Sequence, residues 1–183
     1  MSLRFAATLV FASLMLTGCS PTMSPKHSHY DATLQGYTSD ELMFAQMMIP
    51  HHNQAVAMSE LAPTHTENKD ILALAARIKA AQAPEVNRMT AWLASAGESA
   101  TAHDGMLMEG MLTNQQMTEL ASANGRSFDK LYLEGMIQHH KGAITMLKMI
   151  ETSQNIEVMG LAGAIRETQT QEISEMTSLL KNY

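Results

Sequence analysis

A chain of 183 residues, 45% hydrophobic and 16% charged, is long enough to bury one substantial core and short for two domains. Its net charge of −6 argues against a nucleic-acid surface, because phosphate recognition rests largely on Lys and Arg. Five prolines and 5% aromatic residues, beside abundant unbranched side chains, predict an all-α protein, and the 17 methionines supply core fillers that are also soft metal ligands.

Residues 1–18 read as a targeting segment, with Arg4 at the start and an apolar run from Phe5 to Leu16 that is too short to span a bilayer. Leu16-Thr17-Gly18-Cys19 resembles the lipobox of bacterial lipoproteins, which implies cleavage before Cys19, lipidation there and a membrane anchor in the bacterial envelope, facing the periplasm or the exterior. Cys19 is the sole cysteine, so no intrachain disulfide forms and soft-metal chemistry falls to Met and His. Residues 19–38 lack an apolar period and read as a flexible tether. Within it Met23, His27 and His29 form a candidate minor site, suited to Cu(II) through imidazole.

The folded domain is expected over residues 39–183. A first helix begins at Ser39, with Asp40 and Glu41 in its first turn, and stops at Pro63; Pro50 lies inside it and predicts a kink. A second runs from Asn68 or Asp70 to Ser95, ending at Gly97. The connector, residues 97–126, holds His103, Met106, Met108 and Met111 as a candidate secondary metal cluster, then a short helix from Thr113 to Asn124-Gly125. A third long helix opens at Ser127 or Phe128 and reaches Thr152; a fourth covers Ile156 to Leu180.

The first and third long helices carry one motif, M-I-x-H-H-x-x-A-[VI]-x-M: Met48-Ile49-Pro50-His51-His52 through Met58, and Met136-Ile137-Gln138-His139-His140 through Met146. The repeat extends to the second and fourth helices, where Leu74, Ile78, Gln82, Glu85, Met89 and Leu93 recur as Leu161, Ile165, Gln169, Glu172, Met176 and Leu180. Two copies of one helical hairpin, 39–96 and 127–183, should therefore pack as a four-helix bundle with a pseudo-twofold axis.

On an ideal helix Met47, Met48 and Met58 fall within about 60° of His51, and His52 lies about 100° away; Met136, Met146 and His140 repeat this around His139. Met and His suit Cu(I), a soft ion content with few ligands, and Ag(I) should compete for the same set. Four imidazoles on facing helices are costly to bury unless something occupies them. Met43, Met89, Met117, Met149, Met159 and Met176 are better assigned to core packing. The spacing leaves open whether the two stripes meet across the bundle or each holds its own ion near Pro50.

These motifs, together with Trp92-Leu93 and the Gly110-Met111-Leu112-Thr113 connector, resemble the bacterial family named domain of unknown function 305, ferritin-like four-helix proteins that are exported and bind copper. The resemblance covers about residues 38 to 182. It implies binding of Cu(I), and secondarily Cu(II), by Met48, His51, His52, Met58, Met136, His139, His140 and Met146. Family members often carry Pro in the second motif, where this chain has Gln138. The expected function is sequestration or transfer of copper without catalysis, with other copper-handling envelope proteins as partners. A di-iron oxidase would need Glu-x-x-His motifs that neither His pair provides. A b-type haem bundle with His/Met ligation would need only one of the two motif copies.

Overall fold

The structure, a computed structural model, describes residues 36–183. The targeting segment, Cys19 and the tether residues Met23, His27 and His29 lie outside the described residues. Five helices follow in order: α1 Ser39–His65, α2 Lys69–Ala96, α3 Asn114–Ser122, α4 Gly125–Met146 and α5 Ile156–Leu180. The fold is an all-α four-helix bundle of two hairpins, α1 on α2 and α4 on α5, with α3 as the extra helix in the connector. None of these helices is long and apolar enough to cross a membrane.

Local chemistry sets the helix ends. At the start of α1 the Glu41 amide donates to Thr38 Oγ1 at 3.2 Å and the Thr38 amide donates to Glu41 Oε2 at 2.8 Å, a reciprocal cap. Helix α1 thus begins at Ser39 as expected, with Thr38 as its cap, and the Tyr37 ring before it lies 5.7 Å from that of Trp92, tilted by 32°, so residues 37 and 38 of the expected tether pack on the bundle. Asn68 and Asn155 cap α2 and α5 at equivalent places in the repeat. Gly97 takes φ 75° and closes α2, with the Glu98 amide donating to the Leu93 carbonyl at 2.8 Å.

Three boundaries differ from expectation. Helix α1 runs through Pro63 to His65, because a proline in the last turn removes only one backbone bond and the freed end is recaptured: the Thr66 amide donates to the Ala62 carbonyl at 3.1 Å. Helix α4 starts at Gly125 and ends at Met146, not Thr152. The chain then tightens into a 3-10 turn, Leu147–Ile150, which buries Leu147 and Ile150 against α1 and α5.

The core divides into two apolar clusters. One gathers the start of α1, the end of α2, the end of α4 and the start of α5, including Phe44, Met48, Trp92, Leu93, Met146 and Leu161. The other gathers the opposite ends, including Met58, Ile71, Leu74, Phe128, Tyr132 and Met136. Between them each helix carries buried polar residues: His51 and His52 on α1, Gln82 on α2, His139 and His140 on α4, Gln169 and Glu172 on α5. A polar layer therefore crosses the middle of the bundle. Met89 and Met176 are buried as expected, but Met43 and Met159 are 45% and 40% exposed, since each sits beside buried neighbours on the outer side of its helix.

Candidate metal centre

Helical spacing and antiparallel packing bring the two motifs face to face. The rings of His51 and His139 lie 3.9 Å apart between centroids, tilted by 44°. Met48 and Met146 share the apolar cluster on one side of this pair; Met58 and Met136 share the cluster on the other. The stripes meet across the bundle. Met47 stands at the edge, partly buried against the first cluster.

Each of the four imidazoles is fully buried and held by one nitrogen. Nε2 of His51 lies 3.0 Å from the Glu109 carbonyl, and Nε2 of His139 lies 2.9 Å from the His51 carbonyl. A carbonyl oxygen only accepts, so both Nε2 atoms carry the proton and donate. Nε2 of His52 donates to Glu85 at 2.8 Å and Nε2 of His140 to Glu172 at 2.7 Å. Among the described residues none of the four Nδ1 atoms has a hydrogen-bond partner. Burial pushes the His51 pKa down to about 3, helped by the neighbouring His52 and opposed by the Glu109 contact. Burial and the surrounding imidazoles hold His139 well below the ordinary histidine range. At neutral pH these two rings are therefore uncharged, with Nδ1 presenting a lone pair.

The layer holds further unpaired groups. Among the described residues both side-chain polar atoms of Gln82 and of Gln169 also lack a partner, so the four Nδ1 atoms and the two amides make eight orphaned polar atoms. Each such group costs about 1–3 kcal/mol in a domain whose whole stability is of order 5–15 kcal/mol. A bound ion or ligand would give these donors and acceptors the partners that the described residues do not. Among the described residues no three His, Cys, Asp or Glu side chains are arranged to enclose an ion. The donors that flank the layer from the motifs are the thioethers of Met48, Met58, Met136 and Met146, a type that favours soft ions over hard ones.

Glu85 and Glu172 repeat in the sequence, but that repetition alone gives them no role; their function appears only once α2 and α5 fold back on the motif helices. A carboxylate on the far nitrogen fixes the tautomer and orients a ligating ring, as at many metal sites. The Glu109 carbonyl is a backbone group and leaves no trace in residue patterns.

The connector cluster separates into two parts. Met108 is buried and Met111 partly buried, both against the core. Met106 is 52% exposed, with its Sδ 3.1 Å from His103 Nδ1. Two contacts clamp this segment to the bundle. Gln54, one turn beyond His51, bonds both the amide and the carbonyl of Leu112, at 2.8 and 2.9 Å. Gly110 and Gly142 bring two backbones so close that a Cβ on Gly142 would lie 1.9 Å from the Glu109 carbonyl oxygen.

A four-helix bundle with a buried histidine layer between two methionine-bearing apolar clusters, built from a duplicated hairpin, is the class of protein that fold and site define. The chain belongs to the family described as domain of unknown function (DUF305), whose pattern matches residues 41–180. It is similar to the crystal structure of a DUF305 protein from Streptomyces coelicolor, at 32% identity and TM-score 0.73, over 79% of this chain and 93% of that one. It is also similar to CopM in a Cu(II)-bound form, at 27% identity and TM-score 0.68, and in a Cu(I)-bound form, at 26% and 0.66; each covers 78% of this chain and 96% of CopM. CopM has been solved with silver as well. Among curated sequences, an uncharacterized protein, L153, of Acanthamoeba polyphaga mimivirus is 45% identical over 53 residues, 28% of this chain and 35% of that protein's length.

Proposed function

We propose that this protein binds copper, chiefly Cu(I), in the polar layer, and that it sequesters or hands on the ion without catalysing a reaction. The observation that carries the reading is the set of four imidazoles fixed through Nε2, with unpartnered Nδ1 atoms, between two apolar clusters that each hold a thioether from both motifs. Copper- and silver-bound forms of CopM support it. His51 and His139 supply neutral nitrogen donors; Met48, Met58, Met136 and Met146 supply sulfur; Glu85 and Glu172 orient His52 and His140. Cu(I) enters as cargo, and Ag(I), equally soft, competes with it. The Leu16-Thr17-Gly18-Cys19 sequence supports a lipid-anchored location in the bacterial envelope, where Met avoids the oxidation to disulfide that would disable Cys ligands.

The test is a Cu(I) titration of the protein against a competing chelator, beside the variant with Ala at His51, Met58, His139 and Met146. Loss of most Cu(I) binding in the variant is the expected result. Undiminished uptake would remove the assignment of the site.

A further inference from the structure

The connector contains a second short repeat. His103-Asp104-Gly105-Met106 and Met108-Glu109-Gly110-Met111 are consecutive turns with the pattern [His/Met]-acid-Gly-Met. In each the fourth amide donates to the first carbonyl at 3.1 Å, and the glycine at the third position takes a positive φ, 79° at Gly105 and 82° at Gly110. A left-handed third residue folds the turn so that its first and last residues come together. In the outer turn those are an imidazole and a thioether, with Nδ1 and Sδ 3.1 Å apart on the surface. In the inner turn Met111 Sδ folds back over the Met108 amide at 3.4 Å, and the turn's Glu109 carbonyl is the one that receives His51 Nε2.

The position of the outer turn adds to its chemistry. Met106 and Met111 line an open groove of about 490 Å³ together with Pro50 and Gln54 of α1, which flank the His pair in sequence. Met106 stands half in solvent, its thioether beside the His103 imidazole. Leu107, at 62% exposure, is the only residue between the two turns.

We propose that His103 and Met106 form a surface acquisition site for a soft monovalent cation, Cu(I) or Ag(I), from which the ion passes along the groove past Met111 to the buried layer. The inference rests on the copper-binding reading of that layer. Two ligands and open solvent give weaker, faster-exchanging binding than a buried Met/His sphere, which suits capture and release. The passage is ligand exchange alone: nitrogen and sulfur donors replace one another on the ion, and no electron moves.

The experiment follows the methionine methyl groups by NMR, carbon-13 labelled, while Ag(I) is added to the full protein. The Met106 methyl should shift progressively in fast exchange, and the Met58 and Met136 methyls in slow exchange. His103→Ala should weaken the Met106 response at least tenfold and leave the final shifts of Met58 and Met136 unchanged. In a variant with Leu at Met58 and Met146, which keeps core volume, the Met106 response should persist. Movement of the buried methyls with Met106 silent, or a Met106 response indifferent to His103→Ala, would overturn the surface site and leave the copper-binding reading standing. No movement of any methionine methyl would remove both.

Discussion

The imidazole of His139 donates to the backbone carbonyl of His51 at 2.9 Å, and His51 does not return the bond: its own Nε2 reaches the Glu109 carbonyl instead. The two motifs are near copies, so this asymmetry comes from the connector, which enters on one side of the pseudo-twofold axis. It ties one half of the polar layer to a surface segment. The other half is tied to helices alone, His139 to α1 and His140 to Glu172 of α5.

That tie depends on the two glycines. Gly142→Ala places a methyl where the Glu109 carbonyl lies, and backbone on both sides leaves little to yield. The variant should lose about 2–3 kcal/mol in urea unfolding, the upper range for overpacking, and should bind Cu(I) more weakly as the Glu109 carbonyl is displaced. Stability within about 0.5 kcal/mol of the parent would show that the contact relaxes freely.

The carboxylates behind the second histidine of each motif should matter for both stability and metal. Glu172→Ala and Glu85→Ala each leave a buried Nε2–H without an acceptor, at about 1–3 kcal/mol. The Glu172 side chain is 9% exposed and that of Glu85 16%, so water replaces the lost acceptor less readily at Glu172 and its removal should cost more. Copper affinity, read by chelator competition, should fall by about 10–100-fold in each, as for other groups that orient a ligand. Unaltered affinity would mean that His52 and His140 do not ligate.

Met58→Leu and Met136→Leu separate ligand from filler. Leucine nearly conserves volume, so unfolding free energy should change by less than about 1.5 kcal/mol in either variant. Affinity for Cu(I) should nevertheless drop at least tenfold. Equal affinity in both variants would return these two methionines to the core alone.

Acid should destabilise the protein through His51 and His139. Their folded pKa values lie below the unfolded value near 6.5, at about 3 for His51, so between these limits the unfolded chain holds more protons. Stability is then fully present above about pH 6.5 and declines as pH falls towards 3, with a slope of up to about 1.4 kcal/mol per pH unit for each histidine. Urea midpoints of metal-free protein at pH 7.5, 5.5 and 4.5 test the sign. Replacing both residues with Gln should flatten the profile, and a profile as steep as the parent's would assign the acid sensitivity to other groups.

Much of the fold was readable because the chain states it twice. Repeated apolar spacing, Asn68 before α2 and Gly97 after it define helices by local rules that tertiary contacts did not override. Local rules did less well where packing decides: Pro63 is absorbed into α1, and α4 gives way to a 3-10 turn because Leu147 and Ile150 turn inward. At the site, the facing of His51 and His139 follows from the duplication, whereas the pairing of His52 with Glu85 spans 33 residues and two helices and becomes visible only in three dimensions. Met43 and Met159 were indistinguishable from core methionines because the thioether carries no mark of which side of a helix it faces.

The meeting of Gly110 and Gly142 also bears on how the connector can vary in length. From Glu109 to Leu112 the segment is locked in register by the glycine contact and by the two bonds from Gln54. Inserting or deleting a residue there would shift the Glu109 carbonyl off His51. Between Ser99 and Asp104 the chain is largely exposed and its side-chain bonds are mostly local. Added or lost residues should therefore be tolerated on the α2 side of the connector and excluded on the α3 side, giving two halves of one loop very different freedom to diverge.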